Sequence, residues 1–213
     1  MKAFLSYSNL DKYLAAQIKH ELEDYGLEIF MAHEDIEPLA EWVDTIRAEL
    51  EACDVFIPIL TENFDKSDWT DQETGIAIAC NTLIIPLKVT ADPHGFIARF
   101  QALKMDIKKI APSCYKLAKV IASKPVLGDL FRDGLIKKFG DSWSFDNANR
   151  NTKLLLSFEG YTLRQVTNII GHIIANGQIN QSFQARRKLS NYINIYKDSI
   201  DHELLQAFYE AIK

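Results

Sequence analysis

Val55-Phe56-Ile57-Pro58-Ile59-Leu60, a polar stretch Thr61–Ser67, an amphipathic segment from about Trp69 to Cys80, and then Leu83-Ile84-Ile85-Pro86-Leu87 follow one another without a break. The two near-continuous apolar runs have strand length, and their lack of alternation predicts burial on both faces. The segment between them predicts a helix, so the unit reads strand–helix–strand and the strands lie parallel. Gly75, Ile76, Ala77 and Ala79 lie close together on that helix and predict a close approach to a neighbour. Pro58 and Pro86 each lack a backbone donor, so each belongs where the ladder tolerates the loss.

The pattern extends on both sides. Ala3-Phe4-Leu5 reads as a short buried strand closed by Ser6-Tyr7-Ser8-Asn9. Leu14, Ile18 and Leu22 then recur at helical spacing until Gly26 stops the helix. Leu27–Met31 reads as a second strand, His33–Pro38 as a turn or loop, and Trp42, Ile46 and Leu50 mark a helix to about Glu51. Leu103 to Met105 supplies a fifth strand. Repetition of strand and helix with short gaps predicts a parallel sheet covered by helices.

After about residue 107 the strand runs disappear. Helices are predicted over Ile107–Ala122, Leu127–Phe139, Leu163–Ala175, Phe183–Tyr196 and His202–Ile212, with Asp141–Asp146 a polar-aromatic connector. The expected division is 1–110 for the α/β part and 111–213 for a helical part. Charge divides the same way. Residues 1–106 carry 8 Lys/Arg against 20 Asp/Glu, and residues 107–213 carry 16 against 9. Either the charges cluster on two solvated surfaces, or the halves have different partners or attract each other.

The formal charge of -5 argues against wholesale coating of a nucleic acid. Cys53, Cys80 and Cys114 are widely spaced, which excludes a disulfide framework or zinc cluster as the expectation and points to a reducing interior. Cys53 and Cys80 are expected to be packing residues. The start reaches polar residues too soon for a signal peptide, and no apolar run has the length of a membrane span, so a cytoplasmic location is expected.

Ligands of parallel α/β sheets bind beyond the carboxyl ends of the strands. That rule gathers Ser6, Tyr7, Asp35, Trp42, Trp69 and Glu73 at one edge. No glycine-rich phosphate loop of either dinucleotide or P-loop type occurs, and no His-Glu-x-x-His. His33-Glu34-Asp35 diverge in an extended loop, so no metal is expected. Glu73 lies one turn beyond Trp69 on the same helical face. It is either a solvated acid favoured by the helix dipole, or a carboxylate that stabilises positive charge at a sugar carbon or holds a ribose hydroxyl. Trp42 and Trp69 are either packing residues or platforms for a flat ring.

These residues form a pattern that resembles the Toll/interleukin-1 receptor (TIR) domain family over residues 1–106. Phe4-Leu5-Ser6-Tyr7-Ser8 with Asp11 match its first box, Phe30–Asp35 and Pro38–Trp42 its second region, and Ser67-Asp68-Trp69 to Glu73 its third. The family's Pro-Gly in the loop after the second strand, here Ala32–Glu41, becomes Pro38-Leu39. The resemblance implies a flavodoxin-like sheet of five parallel strands. In enzymatic members it implies NAD⁺ as substrate, cleaved at the nicotinamide–ribose bond to nicotinamide and ADP-ribose or a cyclic ADP-ribose isomer, in some cases a messenger in antiphage immunity. Glu73 then corresponds to the catalytic glutamate, and Ser6, Tyr7, Phe30, Asp35, Trp42 and Trp69 to residues around the NAD⁺. No separate cofactor is implied. Self-association into a homo-oligomer through the TIR-like or helical part is implied, with a partner effector protein and no membrane. A non-catalytic TIR scaffold and a nucleoside deoxyribosyltransferase-like enzyme are the competing accounts.

Asn147–Thr152 and Ala175–Gln181 look like phrases found behind bacterial TIR domains. Arg186-Arg187-Lys188 is either a solvated helix face or a contact for a phosphate-bearing ligand or acidic partner.

Overall fold

The computed structural model describes residues 1–32 and 42–213. They divide into two compact units, Met1–Ile121 and Ala122–Lys213.

In the first unit β1 (Lys2–Ser6) lies between β2 (Glu28–Phe30) and β3 (Val55–Leu60). Beyond β3 come β4 (Leu83–Ile84), β5 (Leu87–Lys88) and β6 (Leu103–Lys104), in the order β2-β1-β3-β5-β6 with β4 also on β3. All pairings are parallel. Val55 faces Leu83 and Ile59 faces Leu87, the same offset on both sides. β4 and β5 are therefore two pieces of one strand, and the expected five-stranded flavodoxin-like sheet is present. The break falls where Pro58 faces Pro86. Two donors are missing there, yet the Ile85 N–H still donates to the Phe56 carbonyl at 3.0 Å and the Leu103 N–H to the Pro86 carbonyl at 2.8 Å. The chain stays in the sheet across the interruption.

All six residues of β3 are buried, as expected for a central strand covered on both faces. Phe4, Phe56, Leu60 and Phe64 pack with Ile46, Leu50 and Ala77, and the Phe4 ring lies 5.3 Å from Phe30 and 5.9 Å from Phe56. The covering helices are α1 (Lys12–Glu23), α2 (Trp42–Ala52), α3 (Asp68–Ala79) and α4 (Ile110–Ala122). Gly26, at φ 77°, takes the left-handed conformation that ends α1. Gly75 faces open space and serves no close approach, whereas Ala77 is fully buried in the core. α4 belongs to the first unit.

The second unit contains α5 (Leu127–Gly140), α6 (Phe145–Leu155), α7 (Leu163–Ala175), α8 (Gly177–Asn180), α9 (Phe183–Asn194) and α10 (His202–Ala211). α6 replaces part of the expected connector. Its buried face carries Asn147, Asn151 and Thr152 beside Ala148 and Leu155, so apolar periodicity does not reveal it. The Asn151 amide donates to the Lys138 carbonyl and to Ser142 Oγ, both at 3.0 Å. The Asn176 amide donates to the Gly140 and Ser142 carbonyls, both at 2.8 Å, while its oxygen accepts from the Gln178 N–H. The asparagine-rich phrases thus tie off helix ends whose backbone groups would otherwise lack partners. Thr162 and Gln165 form a reciprocal capping box on α7. No described helix is long and apolar enough to cross a membrane.

α5 ends against α7 at Gly140, where an added Cβ would lie 2.2 Å from the His172 ring. Gly140→Ala should therefore cost about 1–3 kcal/mol through overpacking. His172→Ala in the same chain should recover most of it, a coupling that a double-mutant cycle of thermal unfolding reads directly. Strictly additive effects would contradict the contact.

Candidate active site

The sheet order reverses between β1 and β3, because β2 lies to one side of β1 and every later strand to the other. A crevice opens at such a switch point, beyond the carboxyl ends of the two strands. Ser6 is the last residue of β1 and is buried. Its hydroxyl donates to Glu73 Oε2 at 2.5 Å. Glu73 sits in the second turn of α3 and is 6% exposed, which disposes of the solvated-acid alternative.

Five hydrogen bonds fix the frame around this pair. Asp11 accepts from Thr61 Oγ1 at 2.6 Å and from the Asn63 amide at 3.0 Å, tying the loop after β3 to the start of α1. The Thr61 hydroxyl also accepts from the Phe64 N–H. Thr70 Oγ1 lies 2.8 Å from the Phe64 carbonyl and 2.7 Å from the Ser67 carbonyl, which pins the first turn of α3. Asp11 was legible as part of a motif, and Thr61 and Asn63 fall in the stretch Thr61–Glu73 that the strand-end rule nominates, though not as partners of Asp11. Their only signal is a pair of polar residues placed immediately after the central strand.

A cavity of about 360 Å³ opens over the carboxyl group, with Tyr7, Asn9, Trp42, Lys66, Trp69 and Glu73 among its walls. That volume lies within the range of small-molecule sites. Trp42 does two things: it packs half-buried on the apolar core and also lines the cavity. Trp69 is 44% exposed and forms part of the wall, so it is not a core residue. Phe30 is packed on Phe4 and is not among the lining residues. Asp35 and its neighbours His33 and Glu34 lie outside the described residues, as does Pro38-Leu39. Cys53 and Cys114 are buried, and burial pushes their thiols up to about 11 and about 12. Cys80 departs from the expectation, being exposed at the end of α3.

Desolvation dominates the electrostatics of Glu73. Burial raises its carboxyl from 4.5 to about 7, and the Ser6 hydrogen bond pulls weakly the other way. An ionised carboxylate in this position favours any positive charge that enters the cavity. The same shift acts on stability. Between pH 4.5 and 7 the folded chain holds a proton that the unfolded chain releases, so stability falls as pH rises through that window. Glu73→Gln keeps an acceptor for Ser6 and has no charge to desolvate. Relative to this variant, the native chain should lose about 3 kcal/mol between pH 4.5 and pH 7, with little change above. Unfolding curves for both proteins at stepped pH measure the difference; a gap independent of pH would contradict the raised value.

Residues 3–113 match the family model described as the TIR domain. Among solved structures, the TIR domain of the Toll-related receptor TRR-2 from Hydra magnipapillata is similar over 62% of this chain and 96% of that one, with 19% identity and a TM-score of 0.47. CMP N-glycosidase BcmB from Clostridium botulinum is similar over 55% of this chain and 98% of that one, with 20% identity and a TM-score of 0.40. No curated protein matches the chain. The family match spans more than half of the sequence, and the chain belongs to the TIR-domain family.

Proposed function

We propose that the first unit is an NAD⁺ glycohydrolase or ADP-ribosyl cyclase acting through Glu73. The observation that carries this reading is a buried carboxyl group, hydrogen-bonded by Ser6, facing a cavity with two tryptophans in its wall. In NAD⁺ the nicotinamide leaves as a neutral molecule, so the bond needs little acid assistance. What requires stabilisation is the oxocarbenium-like ribose. A desolvated carboxylate does this by charge and by holding a ribose hydroxyl. The positively charged nicotinamide ring, when it lies beside Glu73, favours the ionised form, so binding itself draws the group into its active state. Water attacking the ribose carbon gives ADP-ribose and one proton; attack by another group of the same substrate gives a cyclic isomer. The role fits a cytoplasmic NAD⁺-consuming effector of antiphage defence that works as a homo-oligomer. A non-catalytic scaffold has no physical need for a buried acid at the switch point, and a deoxyribosyltransferase would require turnover of deoxynucleosides in place of NAD⁺.

Glu73→Gln should lower NAD⁺ cleavage by at least about a hundredfold while leaving the fold intact, with nicotinamide release and the ribose-containing product followed separately. Near-normal release by the folded variant would remove Glu73 from the chemistry, and no release by the native chain under any assembly condition would favour the scaffold. In the native chain kcat/KM should rise with pH through about 7 as the free carboxyl ionises.

Trp42→Ala should raise KM for NAD⁺ several-fold and also lower the melting temperature, because the residue serves both cavity and core. A melting curve beside a substrate titration checks both; loss of stability with unchanged KM would confine Trp42 to packing.

A further inference from the structure

α9 carries Arg186, Arg187 and Lys188, and its twelve residues include no acid. Three positive charges therefore stand in the N-terminal half of a helix whose own dipole is positive at that end. No acid lies in the first turn, and the Ser182 side chain does not cap the helix; it donates to Asn149 Oδ1 at 2.7 Å. Neither guanidinium has an ion-pair or hydrogen-bond partner among the described residues. Like charges gathered against a dipole and left unpaired are destabilising in the empty protein, and an anion relieves all of these terms together.

The same face carries a shallow depression. A cavity of about 250 Å³, entirely within the second unit, is lined by Phe183, Arg186, Arg187, Ser190, Asn191 and Ile212. Positions 183, 186, 187, 190 and 191 follow helical spacing, so one stripe of α9 supplies an aromatic ring, two guanidinium forks and two neutral polar groups in succession. Phe183 is 67% exposed, so one face of its ring is open to a ligand. Arginine forks match phosphate oxygens in bidentate geometry, an exposed ring offers a stacking face, and Ser190 and Asn191 suit sugar hydroxyls.

The geometry points to a binding site for a phosphomonoester of mononucleotide size on the helical unit, with the phosphate on Arg186 and Arg187 and the base on Phe183. The site is separate from Glu73 and does not depend on the catalytic reading of it.

Calorimetric titration of the full chain with AMP, ribose 5-phosphate and inorganic phosphate separates the parts. AMP should bind best. Arg186→Gln with Arg187→Gln should weaken AMP at least about tenfold with the melting temperature of the ligand-free chain unchanged or raised. Phe183→Ser should weaken AMP while leaving ribose 5-phosphate as it was. Because AMP could also enter the Glu73 cavity, the arginine variants are decisive: AMP binding unaltered in a folded double-glutamine variant would overturn the site. If that variant does not fold, Arg186→Lys with Arg187→Lys keeps the charge and removes the fork, and unchanged AMP affinity there would overturn it equally. No binding of any of the three ligands by the native chain at millimolar concentration would also end the proposal, whatever the outcome of the NAD⁺ assays.

Discussion

A carboxyl group taken out of water is tolerable only if it is neutral or if something compensates its charge. Glu73 meets this condition with one short hydrogen bond from Ser6 and an elevated affinity for its proton. Near neutrality the group is poised between its two forms, and the balance turns on whatever occupies the cavity. That poise depends on Ser6 ending β1 and Glu73 facing it from the second turn of α3. A one-residue slip of β1 would send Ser6 to the other face of the sheet, and a shift of α3 by one residue would rotate Glu73 away.

The surrounding polar contacts secure both positions. Asp11 joins the start of α1 to the turn after β3, and Thr70 joins the first turn of α3 to the same turn. Each belongs to a loop or helix start, where backbone groups lack partners and side chains are free to supply them. The strands beneath are held by apolar packing that admits little movement. Rigidity at the carboxyl edge is thus built from a dry core below and a few oriented hydroxyls and amides above. Even the proline break beyond β3 is absorbed, since neighbouring N–H and carbonyl groups continue the sheet around it.

This division explains what the sequence made legible. β3 was plain because burial on both faces leaves a continuous apolar run, and α1, α2 and α7 were plain because each hides one stripe of large aliphatic residues. Glu73 and Trp69 were legible as a pair because helical spacing alone puts them on one side. The double role of Trp42 was not, since a half-buried indole looks the same in sequence whichever side faces the cavity. Phe30 carries a site assignment by resemblance, and nothing in the sequence shows that its ring packs on Phe4. Gly75 misled for a related reason: small residues permit close approach without requiring it.

The helical unit shows where apolar pattern fails as a guide. α6 buries Asn147, Asn151 and Thr152, and the amides of Asn151 and Asn176 reach carbonyls at the end of α5 and the turn beyond it. A buried amide so placed satisfies groups that no leucine could, and it does so with directional bonds that fix where a helix stops. Such positions score as polar and read as loop. The two units thus put buried polarity to different uses. Around α6 the amide N–H groups of Asn151 and Asn176 are matched to carbonyls, which fixes where α5 stops, although Asn151 Oδ1 and Thr152 Oγ1 are buried without partners. At Glu73 the match is left incomplete on the side that faces the cavity, and an incompletely compensated acid has electrostatic work left to do on an entering cation.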